Sequence, residues 1–172
     1  MIDDLRLVHY DEPSIDRIYD KLVTLYAATH QDLAGNVFYT TDRFKEFLVL
    51  QRAHPGFELV AAWAGDVLVG VAFGFSRPAQ DQFAFCELMV APEFQRRGLA
   101  KRLHDQLLSG RGESQASLFV RKDNSPAQAA YKKWGWTKVG DVQPTPEAPN
   151  FDELVLPLPT ETLPKPGYPP VT

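Results

Sequence analysis

Apolar positions along the chain switch between a period of two and a period near 3.6, and the switches mark the elements. Leu5 to Tyr10 reads as a short strand ended by Asp11-Glu12-Pro13. Ile15, Ile18, Leu22, Leu25 and Tyr26 then recur at helical spacing behind Ser14, a candidate N-cap. Gly35-Asn36 breaks that helix, and Thr40-Thr41-Asp42 offers a cap for a second one carrying Phe44, Phe47, Leu48 and Gln51. The linker from His30 to Tyr39 mixes polar and aromatic side chains, as expected of a surface loop, an edge of the core or a ligand-lining segment. His54-Pro55-Gly56 stops the second helix. Phe57 to Trp63 and Val67 to Phe75 read as strands joined by an Ala64-Gly65-Asp66 hairpin turn. Gly70, Ala72 and Gly74 in the second of these predict a bend or a close approach.

Phe83 to His104 organises the rest. A β-branched and aromatic run turns at Pro92, after which Leu99, Leu103 and Leu107 fall on one helical face. Between strand and helix lie Gln95, Arg96, Arg97, Gly98, Leu99 and Ala100. The first turn of a helix leaves backbone N–H groups without intrahelical acceptors, and the positive end of the helix dipole stands behind them. Such a turn is a site for a phosphate. A Walker loop is excluded, because the spacing GxxxxGK followed by Ser or Thr does not occur; so is a dinucleotide fingerprint, because Gly98 stands alone. Ser109-Gly110-Arg111-Gly112 breaks the helix, and Ala116 to Arg121 is a short strand. Ser125 with Gln128 fits a capping box with Pro126 at the first helical position, Ala127, Ala130, Tyr131 and Trp134 share a face, and Gly135 ends the helix. Phe151 to Leu156 reads as a last strand, and the prolines from Pro157 to Pro170 forbid regular structure beyond it. The expected division is a domain over residues 1–156 and a proline-rich tail over 157–172, extended or strapped to the surface.

Composition narrows the class. A chain of 172 residues with 44% hydrophobic and 12% aromatic residues is expected to form one folded domain. No apolar run reaches membrane-spanning length. Cys86 has no partner for an internal disulfide, which suits a reducing cytoplasmic setting. A net charge of −4 argues against a nucleic-acid binder and slightly favours a cationic small-molecule partner. The histidines show no metal-ligand spacing, so no metal is expected.

Two stretches together resemble the GNAT superfamily of acyl-CoA-dependent N-acetyltransferases. Gln95-Arg96-Arg97-Gly98-Leu99-Ala100 matches its acyl-CoA loop, Gln/Arg-x-x-Gly-x-Gly/Ala, and is preceded by Glu87-Leu88-Met89-Val90-Ala91-Pro92. Asn124, Ala127, Tyr131, Gly135 and Trp136 are similar to its second signature, Asn-x-x-Ala-x-x-x-Tyr-x-x-x-Gly and an aromatic residue. The resemblance is close from Phe57 to about Gly140 and holds only in element order before Pro55. It implies an α+β, three-layer domain with a mixed, mostly antiparallel sheet of six to seven strands flanked by helices.

It also implies chemistry. Acetyl-CoA would be the donor, its pyrophosphate held by N–H groups of Arg96, Arg97, Gly98, Leu99 and Ala100, with Gln95 and Lys101 beside them. Leu88, Met89 and Val90 would pair with the pantetheine arm, and the N–H of Val90 or Met89 would polarise the thioester carbonyl. Asn124 would contact the cofactor. Tyr131 would bind it and protonate the leaving thiolate. Glu87 is the candidate base, and period-two alternation puts it on the face of Phe85 and Met89, although a structural salt bridge or a contact to a substrate ammonium is an equal reading. His30, His54 and His104 are weaker candidates. The acceptor is expected to be a small-molecule primary amine, with a protein N-terminus or lysine, or a non-catalytic acyl-CoA sensor, as alternatives; the protein is expected to act as a monomer or homodimer.

Overall fold

The computed structural model describes residues 4–33, 35–160 and 163. A seven-stranded sheet runs in the order β1-β2-β3-β4-β5-β7-β6. Its strands are β1 (Arg6–Tyr10), β2 (Glu58–Ala64), β3 (Val67–Arg77), β4 (Gln82–Val90), β5 (Gln115–Arg121), β6 (Thr137–Val142) and β7 (Phe151–Pro157). Every pairing is antiparallel except β4 with β5. This is the expected mixed, mostly antiparallel sheet, with helices α1 (Tyr19–Thr29), α2 (Thr41–Arg52), α3 (Leu99–Leu108) and α4 (Ser125–Lys133).

α1 and α2 pack together against β3, where Phe44 of α2 meets Phe73. α3 lies against β2, β3 and β4 with Leu99, Leu103 and Leu107 buried, as their spacing predicts. Gly70 permits that approach, since a Cβ there would come within 2.9 Å of Leu103. Gly74 is more constrained: a Cβ would stand 2.2 Å from the Ala84 carbonyl oxygen.

Helix starts differ from the expected ones where a neighbouring polar side chain competes better. The chain enters α1 through a 3₁₀ turn over Pro13–Ile18, because Asp11 and Ser14 cap each other. Thr40 caps α2 as expected, its hydroxyl accepting from the Arg43 N–H. On α4 the cap is Asn124 rather than Ser125; its side-chain oxygen accepts from the Ala127 N–H, while Gln128 donates to the Arg121 carbonyl and Asp152. The strand β6 has a mostly exposed pattern and no apolar alternation to announce it.

β7 extends to Pro157, one residue into the expected tail. Leu158 donates its N–H to the Ser114 carbonyl, and Leu163 exchanges hydrogen bonds with the Ser109 hydroxyl. At these residues the chain is held against the end of α3. Residues 161, 162 and 164–172, on which most of the tail expectation falls, lie outside the described set.

Candidate active site

β4 and β5 pair over only Gln82↔Gln115, Phe83↔Ala116 and Ala84↔Ser117. Beyond Ala84 the strands part, and a cleft of about 860 Å³ opens between them. The cause is local. A β-bulge shifts the β3–β4 register so that Gly74 faces Phe85 while Phe73 faces Glu87, leaving Cys86 as the extra residue. The bulge also corrects the expected alternation. Phe85 packs toward His104 and Trp136, but Glu87 pairs with Phe73 in register, and Phe73 meets Phe44 and Phe57. Phe85 and Glu87 therefore occupy opposite faces of the sheet, and Glu87 turns into the cleft.

Along β4 beyond the bulge, alternation decides which backbone groups face the cleft. Ala91 donates its N–H to the Val69 carbonyl, so the amides of Ala91 and Met89 turn toward β3. Those of Leu88 and Val90 turn toward the gap. The Val90 carbonyl is already taken, accepting from Gln95 Nε2 at 2.9 Å. Of the two expected thioester donors, this leaves the Val90 N–H and directs that of Met89 away. Gln95 thus ties the loop to the strand end.

The loop itself is exposed and twice left-handed, at Arg96 (φ 63°) and Gly98 (φ 83°). Successive turns of that kind gather backbone N–H groups into a concave nest for an anion. The first recorded acceptor bond of α3 runs from Arg102 N–H to the Gly98 carbonyl, and among the described residues the N–H groups from Arg96 to Lys101 meet no acceptor. Unsatisfied donors around an open, left-handed glycine fit a pyrophosphate. Arg97 lies 5.5 Å from the Phe94 ring centre. Asn124 lines the cleft, but its oxygen is committed to the α4 cap, leaving its NH₂ group for a ligand.

Glu87 and Tyr131 line this same cleft. Glu87 has no ion pair or hydrogen bond among the described residues, which excludes the salt-bridge reading. Its carboxyl opens partly into the cleft, yet desolvation by the surrounding protein raises its pKa to about 7. Tyr131 packs edge-on against Trp134 and Trp136, at 5.6 and 5.9 Å between ring centres. Burial raises its phenol, and Glu87 raises it further. Tyr26 and Cys86 are also raised by burial first and then by Glu87, whereas at Tyr39 burial raises the phenol, Arg121 lowers it and Glu87 raises it.

Of the linker, His30 to Leu33 with Phe38 and Tyr39 line the cleft. His30 stacks between Tyr26 (4.0 Å) and Tyr39 (5.7 Å), and its Nδ1 faces the Tyr26 carbonyl at 2.9 Å. His54 stacks on Phe75, away from the cleft. His104 is buried, with Nδ1 on Asp105 (2.9 Å) and Nε2 accepting from the Trp136 indole (2.9 Å), so it joins α3 to the segment after α4. Sequence reasoning missed Tyr26, Arg121 and Phe151 as cleft residues; Arg121 stands three residues before the Asn124 signature but outside its pattern, and only folding brings the three together. No group of metal-ligating side chains is present, and no helix is long and apolar enough to cross a membrane, among the described residues.

Splayed strands with free amides and a nest at a helix start shape a cleft suited to an extended, phosphate-headed ligand, with Glu87 and Tyr131 in its lining. The chain belongs to the acetyltransferase (GNAT) family, whose model matches residues 16–136, a family of acyltransferases with acetyl-CoA as donor. Over 91 residues it is 35% identical to the N-alpha-acetyltransferase RimI of Mycobacterium tuberculosis, a stretch covering 51% of this chain and 57% of that protein. The match thus spans little more than half of that relative. The fold is similar to that of the ribosomal-protein-S18-alanine N-acetyltransferase of Escherichia coli (TM-score 0.68, 18% identity, 92% of this chain and 98% of that one). It is also similar to that of the PaiA N-acetyltransferase of Thermoplasma acidophilum in complex with coenzyme A (TM-score 0.66, 12% identity, 90% of this chain and 99% of that one).

Proposed function

We propose that this protein transfers an acetyl group from acetyl-CoA directly to a small-molecule primary amine bound with it in a ternary complex, with Glu87 as base and Tyr131 as acid. One observation carries the reading: an unpaired carboxyl with a pKa of about 7 shares the cleft with a protonated phenol. The nest from Arg96 to Lys101 holds the pyrophosphate, and amides of Leu88 and Val90 order the arm beyond it. The Val90 N–H faces the carbonyl oxygen as negative charge develops there.

Glu87 removes one proton from the incoming ammonium, directly or through a water. The neutral nitrogen forms the C–N bond as the C–S bond breaks, and the electron pair of that bond leaves on sulfur. Tyr131 supplies a proton to the thiolate. The nitrogen loses two protons in all, one to Glu87 before attack and one after the C–N bond forms, which passes to the Tyr131 phenolate; sulfur gains one from Tyr131, and Glu87 releases the net proton to solvent. Burial lifts Tyr131 above the usual phenol range, so it holds its proton at neutral pH until the thiolate forms.

A second reading, acetylation of a protein N-terminus, is favoured by the local identity to RimI. Aromatic walls from Phe38, Tyr39 and Phe47 suit a compact acceptor better. Release of CoA measured over a panel of amines, amino acids and N-terminal peptides tests both. Turnover confined to peptides would replace the small-molecule assignment, and acetyl-CoA binding without turnover of any acceptor would leave a sensor.

A further inference from the structure

Arg121 ends β5 and lines the cleft. Its side chain is only 20% exposed, and its one ion pair among the described residues is with Asp123 at 3.5 Å, a side chain that is itself 81% exposed. A guanidinium carries five N–H donors, and burying them without acceptors is costly. The other buried arginines do not accept that cost: Arg111 is held by Glu58 and Glu113, and Arg52 by Glu12 and Asp16. Arg121 instead lies beside Tyr39, its guanidinium carbon 5.7 Å from the ring centre and acting on that phenol, which leaves other N–H donors of the fork without an acceptor.

Tyr39 supplies a second unsatisfied donor. Its hydroxyl is buried and has no hydrogen-bond partner among the described residues. Burial raises this phenol to about 12, with Arg121 pulling the other way, so it remains an O–H at neutral pH. A lysine or arginine other than Arg121 is absent from the described cleft lining, whose acids are Glu87 and Asp32. If Arg121 served only to anchor the 30–39 linker, its edge would be expected to meet linker carbonyls, and it meets none among the described residues.

We propose that Arg121 and Tyr39 bind a carboxylate of the acceptor, making the substrate a small amine that also carries a carboxylate, its amino end directed to Glu87. A carboxylate accepts both a guanidinium fork and a phenol, satisfying the donors the fold leaves open. The inference rests on the acetyltransferase reading. It also reverses the expectation drawn from net charge, because the local cation in the cleft outweighs an overall charge of −4 spread over the surface.

The test uses matched primary amines differing only in that group: γ-aminobutyrate and its carboxamide, and β-alanine and its carboxamide. CoA release is followed with the full chain and with Arg121→Gln, Arg121→Lys and Tyr39→Phe. The parent is expected to favour carboxylates roughly 10- to 100-fold in kcat/KM, mainly through KM. The ratio should fall to about one in Arg121→Gln and to an intermediate value in Arg121→Lys, which keeps the charge but not the fork. Tyr39→Phe should reduce the preference while melting no lower than the parent, since it deletes an unpaired buried hydroxyl, and it decides the matter if Arg121→Gln does not fold. Equal use of carboxylate and carboxamide by the parent, or a preference left undiminished in Arg121→Gln or Tyr39→Phe, would overturn the inference and leave the enzyme reading standing. Absence of CoA release with every amine would overturn the enzyme reading and this inference with it.

Discussion

Replacing Glu87 by Gln should slow catalysis and stabilise the fold at the same time, and the second effect has a sign set by pH. A carboxyl raised from 4.5 to about 7 by desolvation is penalised when ionised by about 3 kcal/mol. Water in the cleft relieves part of that, leaving about 2 kcal/mol. Because the folded pKa lies above the unfolded one, the native state binds more protons between them, and stability falls as pH rises from 4.5 to about 7. Glu87→Gln removes the ionisable group. It should therefore gain about 2 kcal/mol at pH 8, roughly 4–8 °C in Tm for a chain of this size, and almost nothing near pH 4. In kinetics the parent's kcat/KM should climb through pH 7 as Glu87 ionises, provided the amine supplies no coincident titration. Glu87→Gln should flatten that rise and lose roughly 10²–10⁴-fold in rate. Thermal melts of parent and variant at both pH values, with a pH–rate profile, check the reasoning. An equal change in Tm at pH 4 and pH 8 would refute the desolvated carboxyl, and an unchanged pH–rate profile would remove Glu87 from the proton path.

Three further outcomes are expected. Tyr131→Phe should retain stability, since no hydrogen bond holds its hydroxyl among the described residues, and lose on the order of 10²-fold in turnover while binding acetyl-CoA; near-normal steady-state kcat would return this ring to packing against Trp134 and Trp136. Gly98→Glu should abolish acetyl-CoA binding measured by calorimetry, through bulk and like charge in the nest, whereas Gly98→Ala, sharing the strained φ of 83°, should bind more weakly but measurably; undiminished affinity in folded Gly98→Glu would reject the loop assignment. Truncation after Leu158 should leave acetyl-CoA affinity intact and cost about 1–2 kcal/mol through the lost Ser109–Leu163 hydrogen bonds, a loss well beyond that in denaturant titration showing that the tail contributes more than a strap.

Much of this protein was legible locally. The strand end, left-handed glycine and helix start of the proposed phosphate loop are contiguous from Val90 to Leu103, so Gln95 to Lys101 could be proposed from their order alone. The helical face of Leu99, Leu103 and Leu107 and the Thr40 cap are equally short-range. Spacing also placed Tyr131 on an inward face, because periodicity survives wherever the backbone is regular. It failed where the backbone is not. The bulge at Cys86 reverses the facing of Phe85 relative to Glu87, and a bulge is set by how β4 must pass the close contact between Gly74 and Ala84, which is tertiary information. The pKa of Glu87, the unpaired edge of Arg121 and the orphaned hydroxyl of Tyr39 are likewise properties of what surrounds a side chain. Sequence determined the local geometry of the loop, its strand end, left-handed glycine and helix start. The fold alone decided which carboxyl is desolvated and which cation shares its cleft, because it brings α1, β4, β5 and the 30–39 linker together across distances that no sequence window spans.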